Sequence, residues 1–271
     1  MNFNLTPVVK NLLIINLVFY FLGEFIPVFA DELSLYFFES PPFKPWQPLT
    51  HMFMHYGFMH LFSNMLSLFM FGPMLENVWG PKRFLIFYLV CGLGASFLYT
   101  CIQFYEFEQL ANVITKYKFD PDANTFGIIL HHNLPEYANT GIPGANMTFS
   151  QFAEQFREHP DNHALADNSK EFLSMIYNAI INNSALRGAS GAVFGILLAF
   201  GMLFPNTELI MIFFPIPIKA KYFVALYGLY EVYAGFSKMP GDNVAHFAHI
   251  GGMIFAFILI KYWQRQRNNF Y

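Results

Sequence analysis

Six stretches of apolar residues, each close to the length that a membrane-crossing helix needs, constrain this chain more than any other feature. They lie at roughly residues 11–30, 53–71, 83–103, 189–204, 220–237 and 245–262. About 20 helical residues cross the hydrocarbon core of a bilayer, and backbone that faces lipid must satisfy its own hydrogen bonds. Charged residues make up only 12% of the chain, well below the share in soluble domains. The sequence therefore predicts an all-α membrane protein with a bundle of six transmembrane helices.

The basic residues of the short loops fall on one side of the membrane if both termini lie on that side. They are Lys10, Lys82, Arg83, Lys219, Lys221, Lys261, Arg265 and Arg267. The short loops of the other side carry Lys44, Lys238, Asp31, Glu32, Glu39 and Asp242. Because short loops rich in Lys and Arg stay in the cytoplasm, we expect both termini there. The first apolar run is interpreted as a retained membrane helix rather than a cleaved secretory signal, since further spans follow it.

A polar insertion separates the third and fourth apolar runs, at about residues 104–184. We expect a single membrane domain over residues 1–271, with this insertion outside the cytoplasm. The pattern of Thr148 followed by Gln151 predicts the start of one helix, and apolar residues at helical spacing predict a second over Ser169–Ile181. The insertion lies directly before the fourth run, and this position suggests a cap or a substrate-docking element. A tolerated surface loop is the alternative.

Two apolar runs contain residues that could carry chemistry. Ser190 stands among small residues where the fourth run begins, and His249 lies within the sixth run. Small residues allow transmembrane helices to pack closely, so a helix contact explains the first pattern without any chemistry. An intramembrane histidine is a candidate functional residue, although a structural hydrogen bond is the alternative. If the two helices pack together, Ser190 becomes a nucleophile and His249 its general base.

The second apolar run and its approach contain further polar residues. His60 and Asn64 are four residues apart and share one helix face, where both can donate hydrogen bonds to an oxyanion together with the Ser190 backbone N–H. His51, His55 and His60 could instead bind zinc. That alternative is less favoured, because no carboxylate in the run completes a ligand set. For His51 and His55 we expect structural hydrogen bonds to the first loop.

In order and spacing, these motifs resemble the rhomboid family of intramembrane serine proteases. The resemblance rests on Gly188-Ala189-Ser190-Gly191, on His60 and Asn64, and on Ala248-His249-Ile250-Gly251-Gly252, with Gly72, Glu76 and Gly80 resembling the family's Gly-xxx-Glu-xxx-Gly turn. It implies a six-helix fold and a dyad of Ser190 and His249 without a third acidic residue. It also implies an oxyanion hole of His60, Asn64 and the Ser190 amide, and no metal, nucleotide or other cofactor.

The resemblance further implies that the substrates are single-span membrane proteins, and the compact layout leads us to expect a bacterial inner membrane. Gln47 stands where many members have Arg, which is expected to loosen the first loop, and Phe194 keeps an aromatic ring beside His249. Glu231, an acid in the fifth run, either orients a tyrosine or faces the cavity.

Other classes of function remain open or are excluded. A catalytically silent relative that binds membrane clients, and a small transporter that uses intramembrane histidines, are the alternatives. No repeat symmetry supports the transporter. The net charge of −3 offers no basic surface for nucleic acid, and no strand-turn-helix context is present for a nucleotide-binding loop.

Overall fold

The computed structural model describes residues 5–210, 216–237 and 244–268. The predicted loop charges Lys238 and Asp242 lie outside these residues, and so does the side chain of Arg267. The membrane part contains α1 (Pro7–Phe25), α2 (Pro27–Leu33), α3 (Gln47–Thr50), α4 (Gly57–Trp79), α5 (Pro81–Phe119), α10 (Ser190–Leu203), α11 (Ala220–Ser237) and α12 (His246–Asn268). A 3₁₀ turn, His51–Phe53, follows α3, and two-residue strands β1 (Glu208–Leu209) and β2 (Ile218–Lys219) pair antiparallel before α11.

Four of the six predicted runs have wrong bounds, and prolines explain two of them. The sixth run ends later than predicted, since α12 continues to Asn268. The first run is divided because α1 ends at Phe25 and a new helix, α2, begins with Pro27, whose nitrogen has no hydrogen to donate. The second run becomes helical only at Gly57 and continues to Trp79. The third run does not end near residue 103, since the first helix-breaking residue beyond it is Pro121.

Four of the described helices are long and apolar enough to cross a membrane. They are Pro7–Phe25, Gly57–Trp79, Pro81–Phe119 and the His246–Gln266 part of α12. The α10 helix is apolar but only 14 residues long. The protein is therefore an integral membrane protein with a mostly helical fold.

The chain divides into two compact units. Unit 1 comprises Met1–Ile102 and Ala185–Tyr271, and unit 2 comprises Gln103–Ser184, the residues predicted as an insertion. In unit 1 the Glu76 carboxylate, near the end of α4, accepts hydrogen bonds from the Thr6 hydroxyl at 2.5 Å and from the Val8 and Val9 amides at 3.0 Å. This carboxylate satisfies backbone donors that the first turn of α1 leaves free.

Unit 2 has its own hydrophobic core. After the end of α5 it contains α6 (Ala123–Ile128), a π-helical turn (Ile129–Asn133), α7 (Pro135–Ala138), α8 (Phe149–Glu158) and α9 (His163–Asn183). Edge-to-face contacts join Phe126 to Phe152 and Phe152 to Phe172, with ring centroids 5.5 and 4.8 Å apart. The Tyr117 and Ser169 hydroxyls lie 2.5 Å apart within this core. Unit 2 is thus a folded unit rather than an irregular loop.

The predicted helix start at Thr148 is confirmed. The Thr148 side chain accepts a hydrogen bond from the Gln151 amide at 3.2 Å, and the Gln151 side chain accepts one from the Thr148 amide at 2.8 Å. The second predicted helix is also present, but it begins six residues earlier than predicted, at His163, where Asn162 provides the cap.

Replacing Thr148 by Ala is expected to destabilise α8 by about 1 kcal/mol, because one amide at the helix start loses its acceptor. Hydrogen exchange of the α8 amides in the full chain measures this change as roughly fivefold faster exchange, the factor that 1 kcal/mol gives. Gln155→Ala, at an exposed position of the same helix, is the matched control. Equal exchange in both variants would contradict the prediction.

Candidate active site

The small residues of α10 and α12 bring the two helices into backbone contact. A methyl group built on Gly252 would lie 1.8 Å from the Gly191 carbonyl oxygen, so only glycine fits there. A methyl group on Gly195 would lie 3.2 Å from the Gly252 carbonyl oxygen. At this separation the Ser190 hydroxyl, at the start of α10, lies 2.9 Å from His249 Nε2. Close packing and the meeting of the two polar residues, predicted as alternatives, are therefore one feature.

Two side chains, Phe194 and Glu231, fix the imidazole of His249. The Phe194 ring stacks on it with centroids 4.0 Å apart and planes inclined by 10°, so the expected aromatic neighbour is present. Glu231 Oε2 lies 2.8 Å from His249 Nδ1 and 2.6 Å from His246 Nδ1. The resemblance implied a dyad without a third acidic residue, whereas an acid contacts His249 in the structure. Among the described residues, the hydrogen-bond partners of Glu231 are two histidines rather than a tyrosine.

His60 approaches the same hydroxyl from α4. A methyl group built on Gly188 would lie 2.9 Å from His60 Nε2 and 3.6 Å from Ser190 Oγ, so all three groups border one small space. Gly188 has φ of +133°, a conformation that favours glycine. Asn64 is buried one helix turn from His60, and its Nδ2 has no hydrogen-bond acceptor among the residues that the structure describes.

The backbone before Ser190 is held by the two histidines that precede α4. The Gly188 amide donates to the His51 carbonyl oxygen at 2.9 Å, and the Ala189 amide donates to His55 Nε2 at 3.4 Å. His51 Nδ1 in turn lies 3.1 Å from the Gln47 carbonyl oxygen, so His51 makes the expected bond to the first loop. Burial lowers the pKa of His51 to about 4, which keeps this imidazole neutral at physiological pH.

Arg187 ties the same segment to the first loop. Its guanidinium donates to Asp31 Oδ1 at 2.8 Å and to the Ser34 hydroxyl, and it lies 4.5 Å from the centre of the Tyr56 ring. The Tyr56 hydroxyl donates to the Ala185 carbonyl oxygen at 3.0 Å. The approach to Ser190 is therefore anchored by side chains as well as by backbone.

Gln47 tightens the first loop, contrary to the expectation. The residue is fully buried, and its amide group donates to the Glu32 and Pro42 carbonyl oxygens at 3.2 and 3.0 Å. Its side-chain oxygen accepts from the Tyr36 amide at 3.3 Å. An uncharged amide can serve this position because its partners are backbone groups rather than a carboxylate.

The histidines before and within α4 do not form the predicted alternative zinc site. His51 lies in the 3₁₀ turn and His55 precedes α4, so they do not share a helix with His60. Within the described ranges, the group of three side chains that could hold a metal ion is Glu231, His246 and His249, whose ligand atoms lie within 4.8 Å of one another. The sequence indicated this group only through Glu231, an acid within an apolar run. The spacing of residues along the chain did not identify His246 and His249 as its partners.

Comparison with known proteins identifies the family of the chain. A family model described as the rhomboid domain matches residues 42–108 and 169–266. RHOMBOID-like protein 2 of Arabidopsis thaliana is 45% identical over 53 residues, 20% of this chain and 17% of that protein. The putative rhomboid protease YdcA of Bacillus subtilis (strain 168) is 42% identical over 48 residues, 18% of this chain and 24% of that protein. These matched segments thus span a quarter or less of each relative. Because the family model covers more than half of the sequence, the chain belongs to the rhomboid family.

Proposed function

We propose that this protein is an intramembrane serine endopeptidase that hydrolyses peptide bonds of single-span membrane proteins. The observation that carries the proposal is the 2.9 Å contact between Ser190 Oγ and His249 Nε2, within a chain of the rhomboid family. A serine hydroxyl is a weak nucleophile until a base within hydrogen-bond distance removes its proton. The position of His249 Nε2, within hydrogen-bond distance of the hydroxyl, supports its role as that base.

In the proposed reaction, Ser190 Oγ attacks the carbonyl carbon of the substrate while its proton passes to His249 Nε2. The tetrahedral intermediate collapses as His249 returns the proton to the leaving amine, and an acyl-enzyme remains on Ser190. A water molecule then gives a proton to His249 and attacks the acyl carbon. Release of the new carboxyl end restores the Ser190 hydroxyl. No metal or cofactor is needed for these steps.

The oxyanion of each tetrahedral intermediate would be held by His60, Asn64 and the Ser190 backbone N–H. The buried Asn64 amide, which has no acceptor among the described residues, supports this role, because a donor without a partner is costly unless a ligand provides one. His60 Nε2 borders the same small space as Ser190 Oγ, and this position supports His60 as a second donor.

Replacing Asn64 by Ala is expected to lower kcat by about 10²- to 10³-fold, the usual effect of losing one oxyanion donor. Steady-state cleavage kinetics measure it, and KM should change little because the bond forms mainly in the transition state. Asn16→Ala removes a buried asparagine from α1 and serves as the control. Similar losses in both variants would indicate a structural effect instead.

The proposed membrane placement follows the charge pattern. We propose six spans, with α1, α4, α5, α10, α11 and α12 crossing the bilayer, both termini in the cytoplasm, and unit 2 outside it. Substrates are then cut near the outer boundary of the membrane. A bacterial inner membrane is the proposed location. Cysteine accessibility at exposed positions of unit 2 and of the C-terminal part of α12 tests this orientation.

The function is tested with the purified protein in liposomes, a single-span membrane substrate and a serine-directed fluorophosphonate probe. Cleavage of the substrate with covalent labelling at Ser190 is the expected result. Labelling without cleavage would indicate that the substrate is unsuitable, since the nucleophile is activated. Absence of both would favour the catalytically silent relative. Solute uptake that persists in Ser190→Ala would favour the transporter.

A further inference from the structure

The carboxylate of Glu231 is the one acidic group in contact with the Ser190 and His249 pair, within the part of the chain that the structure describes. It lies in α11 and is 2% exposed. Its Oε2 atom is shared by two imidazoles, at 2.6 Å from His246 Nδ1 and 2.8 Å from His249 Nδ1. None of the steps proposed above uses this residue. Burying an acid has a free-energy cost, so its contacts call for a function.

The shared oxygen determines where the hydrogen of His249 lies. A carboxylate oxygen has no hydrogen to give and can accept from both nitrogens, whereas a protonated oxygen would donate to one nitrogen and accept from the other. With Glu231 ionised, both Nδ1 atoms carry hydrogen and donate to its Oε2 atom. In the neutral imidazole, His249 Nε2 is then the acceptor, and this atom faces the Ser190 hydroxyl at 2.9 Å. Glu231 thus selects the tautomer that can accept the serine proton.

The same contact stabilises the charge that forms during the reaction. When His249 Nε2 takes the proton, the ring becomes an imidazolium, and the buried carboxylate 2.8 Å from its Nδ1 atom offsets the charge. Phe194 limits rotation of the ring from its stacked face. His246, from the first turn of α12, fixes Glu231 in turn.

We propose that Glu231 is a positioning residue that converts the pair of Ser190 and His249 into a triad, and that His246 holds Glu231 in place. This inference rests on the proposed protease function. It differs from the expectation of a dyad, because it assigns part of the rate to an acid on α11. Glu231 acts through His249 and does not itself touch the substrate.

A metal ion held by Glu231, His246 and His249 is the competing use of the cluster. A metal on His249 Nδ1 would leave the hydrogen of a neutral ring on Nε2, and the base would be lost. The two nitrogen–oxygen distances of 2.6 and 2.8 Å are those of direct hydrogen bonds. The geometry therefore favours the positioning role.

The kinetic test compares wild type with Glu231→Gln, Glu231→Asp and the control Glu76→Gln. Glu76 is also a buried acid, but it binds the start of α1. We expect Glu231→Gln to lower kcat by about 10²- to 10⁴-fold with KM within about threefold, as for the acid of other triads. Glu231→Asp, which keeps the charge, should recover part of that loss. A kcat within twofold of wild type in Glu231→Gln, or equal losses in Glu76→Gln, would overturn the inference.

A second measurement does not require a folded Glu231 variant. Nitrogen chemical shifts of ¹⁵N-labelled histidine distinguish the two tautomers, and the His249 signal is identified by its absence in His249→Gln. Hydrogen on Nδ1 in the wild-type protein is expected. Hydrogen on Nε2, or a shift that changes when a chelator is added, would overturn the proposal and favour the metal site.

Failure of the proposed role of Glu231 and failure of the proposed protease function give different results. If Ser190→Ala loses cleavage while Glu231→Gln keeps it, only the role of Glu231 is wrong. If the wild-type protein neither cleaves nor labels at Ser190, the protease function is wrong, and an Nδ1 hydrogen on His249 would then describe a structural hydrogen bond only, which also removes the positioning role.

Discussion

Ser190→Ala and His249→Ala are each expected to lower kcat by roughly 10⁴- to 10⁶-fold, the range found when a nucleophile or its base is removed from a serine hydrolase. The Ser190 hydroxyl is the atom that would bond to the substrate, and His249 Nε2, at 2.9 Å, is the atom that would take its proton.

The measurement is the rate of substrate cleavage in liposomes, with the thermal midpoint of each variant as the test of folding. The double variant should lose no more activity than either single variant, since the two residues act as one unit. Ser67→Ala, whose hydroxyl donates only to the Ser63 carbonyl of its own helix, is the serine control. Cleavage that persists in Ser190→Ala would refute the assignment of the nucleophile.

Gly252→Ala is expected to have the largest effect on stability, a loss of about 3 kcal/mol or more. The added methyl group would lie 1.8 Å from the Gly191 carbonyl oxygen and 2.7 Å from its carbonyl carbon. These are backbone atoms that cannot rotate away, so α10 and α12 must move apart. Because Ser190 and His249 lie on these helices, their contact of 2.9 Å would lengthen, and cleavage should fall together with stability.

Thermal unfolding followed by cleavage assays at a low temperature measures both effects. Gly228→Ala is the matched control, because its methyl group would meet the flexible end of the Met253 side chain at 2.9 Å. We expect that variant to unfold within a few degrees of wild type. If Gly252→Ala were as stable and active as Gly228→Ala, the close contact between the two helices could not be what assembles the site.

Much of the membrane unit follows from the sequence because local rules determine it. Hydrophobic runs located α11 at residues 220–237, and small residues at helical spacing indicated that α10 and α12 pack closely. The capping pattern located the start of α8. In each case the sequence pattern and the structural feature that it predicts lie within the same short segment of the chain.

The missed features depend on contacts between distant segments. Glu231 and His246 lie on different helices, and their shared hydrogen bond requires the packing of α11 against α12, which no spacing rule predicts. The folded core of unit 2 was missed for a similar reason. Its apolar residues, such as Phe126 and Phe156, are scattered through a polar stretch and come together only in three dimensions. The later end of α5 was predictable, because residues 95–120 contain neither Gly nor Pro.

The bond between Glu76 and the start of α1 has a consequence for biosynthesis. It joins residues that are 67 to 70 positions apart near the beginning of the chain, so α1 and α4 can associate while the ribosome is still translating the later helices. The Ser190 and His249 pair, by contrast, forms only after α12 has been inserted. In a nascent chain, the helices α1 and α4 can therefore pair before Ser190 and His249 are able to meet.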